Sequence, residues 1–208
     1  MMLALTVIIV FVLLLINEIW WRKGHTHGEF SRKFVHITVG SFVAFWPFLL
    51  DWNEIKLLSL AFVAGVLLSK QIHLFTAIHS VQRPTRGELF FALAVGATAL
   101  ITQDKWIYMA ALLQMSLADG LAAIIGTRYG NGNRYTVLGQ AKSVYGTLTF
   151  FIASVVILVA FTNLSGQQLS PGFIVGLAVG ASLFENIGVE GVDNLLVPVL
   201  VASMLTLA

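Results

Sequence analysis

Asp119 sits inside an apolar run, and Ala122, Ala123, Gly126 and Gly130 follow it. This spacing puts the five residues on one helical face, with an acid at one end and no bulk along the rest. The seven steps from Asp119 to Gly126 span about 10 Å of helical rise. The carboxylate is therefore expected inside an apolar stretch, where an ionisable group is costly and a functional role is the default reading. The glycines by themselves suit close helix packing of the small-xxx-small kind, but packing does not require a charge. Beyond the helix, Thr127–Lys142 carries Gly130, Gly132 and Gly139 with Asn131 and Asn133, and Ser143, Gly146 and Thr147 follow Lys142. Glycines let backbone N–H groups turn toward an anion. Ser143 opens the next expected helix, where the helix dipole favours phosphate. The spacing is not that of a Walker A loop. These parts suit the joint holding of phosphates and a metal.

Three further clusters share the same side of the chain. They are Arg32-Lys33-x-x-His36, the run Arg83-Pro84-Thr85-Arg86-Gly87-Glu88, and Glu185-Asn186 with Asp193-Asn194. Basic residues at a membrane edge follow from topology and anionic headgroups alone. Carboxylates gain nothing from anionic lipid, so Glu185, Glu190 and Asp193 read instead as groups beside a phosphate site, where carboxylates hold Mg²⁺. His25-Thr26-His27 offers no third ligand and reads as a solvated loop. His73 and His79 have no partner legible in the sequence.

The elements that must position these groups are set by composition. The chain is 58% hydrophobic and 11% charged, with a mean hydropathy of +0.88. A water-soluble domain cannot hide so much apolar surface, so the bilayer acts as solvent and the backbone must be helical. The expected fold is an all-α, polytopic membrane bundle forming a single domain over residues 1–208. Eight apolar segments are legible, with seven or nine crossings left open: Leu3–Trp21, Phe34–Leu50, Ile55–Phe75, Glu88–Thr102, Trp106–Gly126, Ser143–Asn163, Phe173–Glu185 and Asn194–Leu207. The absence of cysteine excludes disulfides and thiolate metal sites.

Of twelve Lys and Arg, all but Lys56 and Lys105 fall in alternate loops. The positive-inside rule makes that face cytoplasmic. It leaves both termini outside and makes the first segment a retained helix, in what is expected to be the cytoplasmic membrane of a prokaryote.

In their order along the chain, these pieces resemble the polyprenol kinase family, which includes dolichol kinases, phytol kinases and CTP-dependent diacylglycerol kinases. The resemblance rests on Arg32-Lys33-x-x-His36, Arg83-x-Thr85-x-Gly87-Glu88, Asp119-x-x-Ala122-x-x-x-Gly126-x-x-x-Gly130, Lys142-Ser143-x-x-Gly146-Thr147, and Glu185 with Asp193-Asn194. The family's nucleotide motif often has a second Lys and a Glu where this chain has Ala141 and Tyr145.

The resemblance implies phosphoryl transfer from a nucleoside triphosphate, typically CTP, to the hydroxyl of a membrane lipid alcohol. The acceptor would be phytol, farnesol, geranylgeraniol, a polyprenol or diacylglycerol. Such catalysis is mostly positioning and charge neutralisation. On this reading Lys142, Ser143, Gly126, Gly130, Gly139, Gly146 and Thr147 hold phosphates, and Arg32, Lys33 and Arg86 neutralise their charge. Asp119 and Asp193 hold Mg²⁺, with Glu185 as a further ligand. Glu88 or Asp119 takes the alcohol proton, and His36, Arg83 and Asn194 support the substrate side. Expected partners are the lipid alcohol, the nucleotide, membrane lipids and a second copy of the chain, but no nucleic acid. The competing readings are a cytidylyltransferase that makes a CDP-lipid, a transporter and a passive scaffold.

Overall fold

Short polar residues start and stop the apolar runs. Asp104 accepts hydrogen bonds from the backbone N–H groups of Trp106 and Ile107 at 2.8 and 3.0 Å and so opens a helix. Ser143 does the same for Gly146 at 3.0 Å, and Ser170 for Phe173 at 3.2 Å just before Pro171. Each cap satisfies amide donors that the helix itself cannot. The computed structural model describes residues 1–23, 28–72 and 86–208, leaving out the side chains of residues 28, 29 and 69–72. His25, His27, His73, His79 and Arg83 lie outside the described residues.

Among the described residues, 83% are helical. Helix α1 spans Met2–Arg22, α2 Gly28–Ala44, α3 Trp52–Ile72 and α4 Gly87–Ile101. Then come α5, Lys105–Leu113, a π-helical turn over Gln114–Ala118, and α6, Asp119–Tyr129, which together make one continuous rod. Helix α7 spans Val144–Ser165, α8 Pro171–Ile187 and α9 Asp193–Leu207. Each of the eight expected apolar segments is therefore occupied by a helix among the described residues.

Among the described residues, three rods are long and apolar enough to cross a bilayer: α1, the α5–α6 rod and α7. Helices α4, α8 and α9 are apolar but shorter, at 15, 17 and 15 residues. Large apolar side chains stay exposed along the outer faces, among them Leu60 on α3, Val156 on α7 and Leu183 on α8. A soluble protein would bury such a surface, whereas in a membrane bundle it faces lipid.

Two apolar clusters form the interior. One joins Val39, Val43, Ile55, Phe91 and Val95 of α2, α3 and α4 to Tyr108 and Leu112 of α5. The other joins Ala111 and Ala122 to Phe150, Leu158, Ala178 and Val201 of α7, α8 and α9. The α5–α6 rod contributes to both, and 61% of its apolar window is buried against 17% for α1. It is the central strut on which the site is built, and α1 is peripheral.

The sequence read Thr127–Lys142 as a Gly/Asn loop, but the structure folds part of it into an antiparallel hairpin. Strand β1, Arg134–Val137, pairs with β2, Gln140–Ser143, with Tyr135 opposite Lys142. The two turn residues, Leu138 and Gly139, both have positive φ, +47° and +78°. Primed hairpin turns require this, and glycine supplies it at no steric cost.

Candidate active site

The ends of α2, α6, α7, α8 and α9, together with the hairpin, surround a cavity of about 340 Å³, a size suited to a small-molecule ligand. Four carboxylates line it, Asp119, Glu185, Glu190 and Asp193, facing the four cations Arg32, Lys33, Arg134 and Lys142. Ala122, Ala123, Gly126, Ser143, Gly146, Thr147 and Asn194 complete much of the wall.

Asp119 is the first residue of α6 and directly follows the π-helical turn. Such a turn widens the helix and disrupts its hydrogen-bond ladder, and it recurs at functional sites. Here His36 of α2 donates from Nε2 to the Met115 carbonyl at 2.8 Å and lies 3.4 Å from the Asp119 carboxylate. Lys33, one helical turn earlier, reaches the same carboxylate at 2.5 Å, and both partners are buried. The Arg32-Lys33-x-x-His36 spacing thus places Lys33 and His36 side by side on Asp119.

Lys142 projects from β2 toward the end of α8. Its ammonium donates to the Glu185 carboxylate at 2.5 Å and to the Glu185 carbonyl at 2.7 Å. Burial works against this ammonium, but Glu185, backed by Asp193 and Asp119, outweighs it and holds the pKa above the ordinary lysine value. Lys142 is therefore charged throughout the neutral range.

Asp119, Glu185 and Asp193 each offer a carboxylate oxygen, and the three oxygens lie within 4.8 Å of one another. An all-oxygen donor set of this kind suits a hard cation such as Mg²⁺. Asp193 makes no ion pair among the described residues, in contrast to the lysine-held Asp119 and Glu185. Its place is fixed by backbone: a Cβ added to Gly188 would stand 2.4 Å from the Asp193 Cβ. Glu190 and Gly191 turn the connecting loop with φ of +54° and +89°, and the Arg86 amide donates to the Glu190 carbonyl at 3.0 Å.

The small residues of α6 serve packing. A Cβ on Gly126 would lie 2.8 Å from the Ser143 hydroxyl and 3.3 Å from the Gly146 Cα, and one on Gly130 would lie 2.5 Å from the Ser143 Cβ. Close approach here brings the start of α7, with Ser143, Gly146 and Thr147, onto the cavity wall. Asn194 ties α9 to α4 by donating to the Gly87 carbonyl at 2.9 Å.

Not every residue nominated by the sequence joins the site. Gly139 is at the exposed hairpin tip, and Gly130 sits behind Ser143. His36 backs Asp119 without lining the cavity. Arg86 and Glu88 stand outside the wall at the start of α4. Conversely, no spacing pointed to Thr127 and Gln140 on the wall or to Tyr135 behind it, and Arg134 read only as a loop charge. Glu190 carried a signal, as an acid between Glu185 and Asp193.

Fold and site together define a helical-bundle membrane protein with one small hairpin and a cavity of both charge signs at one end of the bundle. No protein-family model and no solved structure matches the chain. Curated relatives do. The phytol kinase of Synechocystis sp. is 33% identical over 189 residues, covering 87% of this chain and 80% of that protein. A probable phytol kinase 2, chloroplastic, of Oryza sativa is 27% identical over 222 residues, covering 94% and 71%. Another of that name from Glycine max is 28% identical over 183 residues, covering 81% and 61%. The chain belongs to the phytol kinase family. It is a kinase with an alcohol group as acceptor.

Proposed function

We propose that this protein transfers the terminal phosphoryl group of a nucleoside triphosphate, CTP, to the primary hydroxyl of an isoprenoid alcohol of the phytol type. One observation carries this reading: the Asp119–Glu185–Asp193 cluster shares its cavity with Lys33 and Lys142. A purely basic pocket suits a bare anion. Four carboxylates facing four cations suit a ligand that brings both signs, a polyphosphate with a divalent cation. The relatives named phytol kinase supply the acceptor class.

On this reading Lys33 and Lys142 leave their carboxylates for the phosphates, and Arg32 and Arg134 add positive charge at the wall. Asp119, Glu185 and Asp193 would hold Mg²⁺, which would neutralise charge on the phosphates. Of the two carboxylates the sequence nominates as base, Asp119 lines the cavity and Glu88 does not, so Asp119 takes the alcohol proton. The alcohol oxygen bonds to the terminal phosphorus as the bond to the bridging oxygen breaks, releasing CDP. The nucleotide arrives from the cytoplasmic side, and the alcohol enters from the bilayer with its tail left among the helices.

The test is an assay in nanodiscs with γ-labelled CTP or ATP, Mg²⁺ and a panel of phytol, farnesol, geranylgeraniol, a long polyprenol and diacylglycerol. Label is expected in phytol, with CTP as the better donor. With the lipid phosphates offered as acceptors, an unlabelled product whose mass includes the cytidine monophosphate, the γ-label leaving as pyrophosphate, would make the protein a cytidylyltransferase. Bound nucleotide with no labelled lipid in any arm would overturn the kinase reading for this panel.

A further inference from the structure

The hairpin carries Lys142, yet a two-stranded ribbon is at best marginally stable on its own. Something must hold it against the helix ends. Tyr135 is directly opposite Lys142 in the register, so both side chains leave the same face of the ribbon. The Tyr135 hydroxyl donates to the Asn186 side-chain carbonyl and also shares a hydrogen bond with the Thr147 hydroxyl. The Thr147 hydroxyl, which donates to Tyr135, also lies 3.1 Å from the same Asn186 oxygen. Asn186 is itself fixed, because its amide donates to the Ser182 carbonyl at 2.8 Å. Lys142 binds Glu185, the preceding residue on α8. Two neighbouring residues of the hairpin face thus engage two neighbouring residues of α8.

We propose that Tyr135 is a positioning residue for the nucleotide site: its hydroxyl, held by Thr147 and Asn186, fixes the hairpin so that Lys142 meets the phosphates. The proposal rests on the nucleotide reading above. Tyr135 does not line the cavity, so it acts through Lys142 and not on the ligand. The lipid alcohol, which enters from the bilayer, is not affected by it.

The experiment measures equilibrium binding of CTP and ATP, with Mg²⁺, to wild type, Tyr135→Phe, Asn186→Leu, Lys142→Met and the double variant Tyr135→Phe/Lys142→Met. Tyr135→Phe keeps the ring and loses the hydroxyl. It is expected to weaken binding of the tighter triphosphate about tenfold, to leave KM for the alcohol unchanged, and to add no further loss in the Lys142→Met background. Asn186→Leu breaks the same tether from the other end and is expected to match it, so the test stands even if one variant does not fold. Wild-type affinity in the tyrosine and asparagine variants, or an equal further loss without Lys142, would overturn the proposal. A wild-type protein that binds neither triphosphate would overturn the nucleotide reading and this inference together.

Discussion

Lys33 and Lys142 each hold a carboxylate that the proposed reaction needs for a cation. The site is therefore closed on itself by two ion pairs, Lys33–Asp119 buried and Lys142–Glu185 half-buried, and ligand binding is an exchange of partners. Removing one member of a buried pair leaves a charge without compensation, at a cost of about 3–5 kcal/mol, whereas replacing both is much milder. Lys33→Met and Asp119→Asn should each lower the unfolding midpoint in detergent, and the double variant should lose less than the sum. Additive losses would show that the pair is not coupled. Lys142→Met releases Glu185. Titration of the resting protein with Mn²⁺, followed by electron paramagnetic resonance, should show tighter cation binding than wild type in the absence of nucleotide. The same variant should bind CTP about 10–100-fold more weakly, the equivalent of losing a charged hydrogen bond. Unchanged Mn²⁺ affinity would mean that Lys142 does not compete with the cation.

At the scale of elements, two irregular pieces of backbone shape the site, and both interrupt or join helices. The π-helical turn precedes Asp119, with His36 as an outside partner for the Met115 carbonyl. The hairpin presents Lys142 and lets Ser143 cap α7. Its seating depends on the lack of a side chain at Gly126 of α6 and at Gly130 just past its end. Gly130→Ala would push a Cβ to 2.5 Å from the Ser143 Cβ and 2.7 Å from its hydroxyl. That crowding should cost about 1–3 kcal/mol and weaken CTP binding by displacing the start of α7. Gly132→Ala meets nothing within 4 Å and should leave both stability and binding near wild type. Thermal unfolding and nucleotide binding on the two variants separate a packing glycine from a spacer. Equal effects would contradict the seating described here.

For the whole molecule, alternating helix directions bring one set of ends together. The C-terminal ends of α6 and α8 meet the N-terminal ends of α2, α7 and α9 around the cavity. The charge bias of the loops predicts that this end faces the cytoplasm. The chain has no cysteine, so single-cysteine labelling reads the topology directly. Leu138→Cys, at the exposed hairpin turn, should react with an impermeant maleimide only after the cells are opened. Gln168→Cys, exposed between α7 and α8 at the opposite end, should react in intact cells. The reverse pattern would invert the orientation.

The sequence alone determined what depends on local period and on the solvent. Apolar runs of helical length marked every rod, because a backbone in lipid must satisfy its own hydrogen bonds. The same economy singled out Asp119, Glu185 and Asp193, since a carboxylate in such surroundings needs a reason. The order of the short motifs also pointed to the family. Tertiary structure decided which charges meet. Lys33 and Asp119 are 86 residues apart, and Lys142 and Glu185 are 43; no local pattern pairs them. It also placed Gly139 in the turn of a hairpin, outside the cavity wall. It put Glu88 outside the cavity that admits Glu190, and it turned Tyr135 inward as the tether of the hairpin. These outcomes follow from register and helix direction, which act between distant segments and leave no trace in the spacing of neighbouring residues.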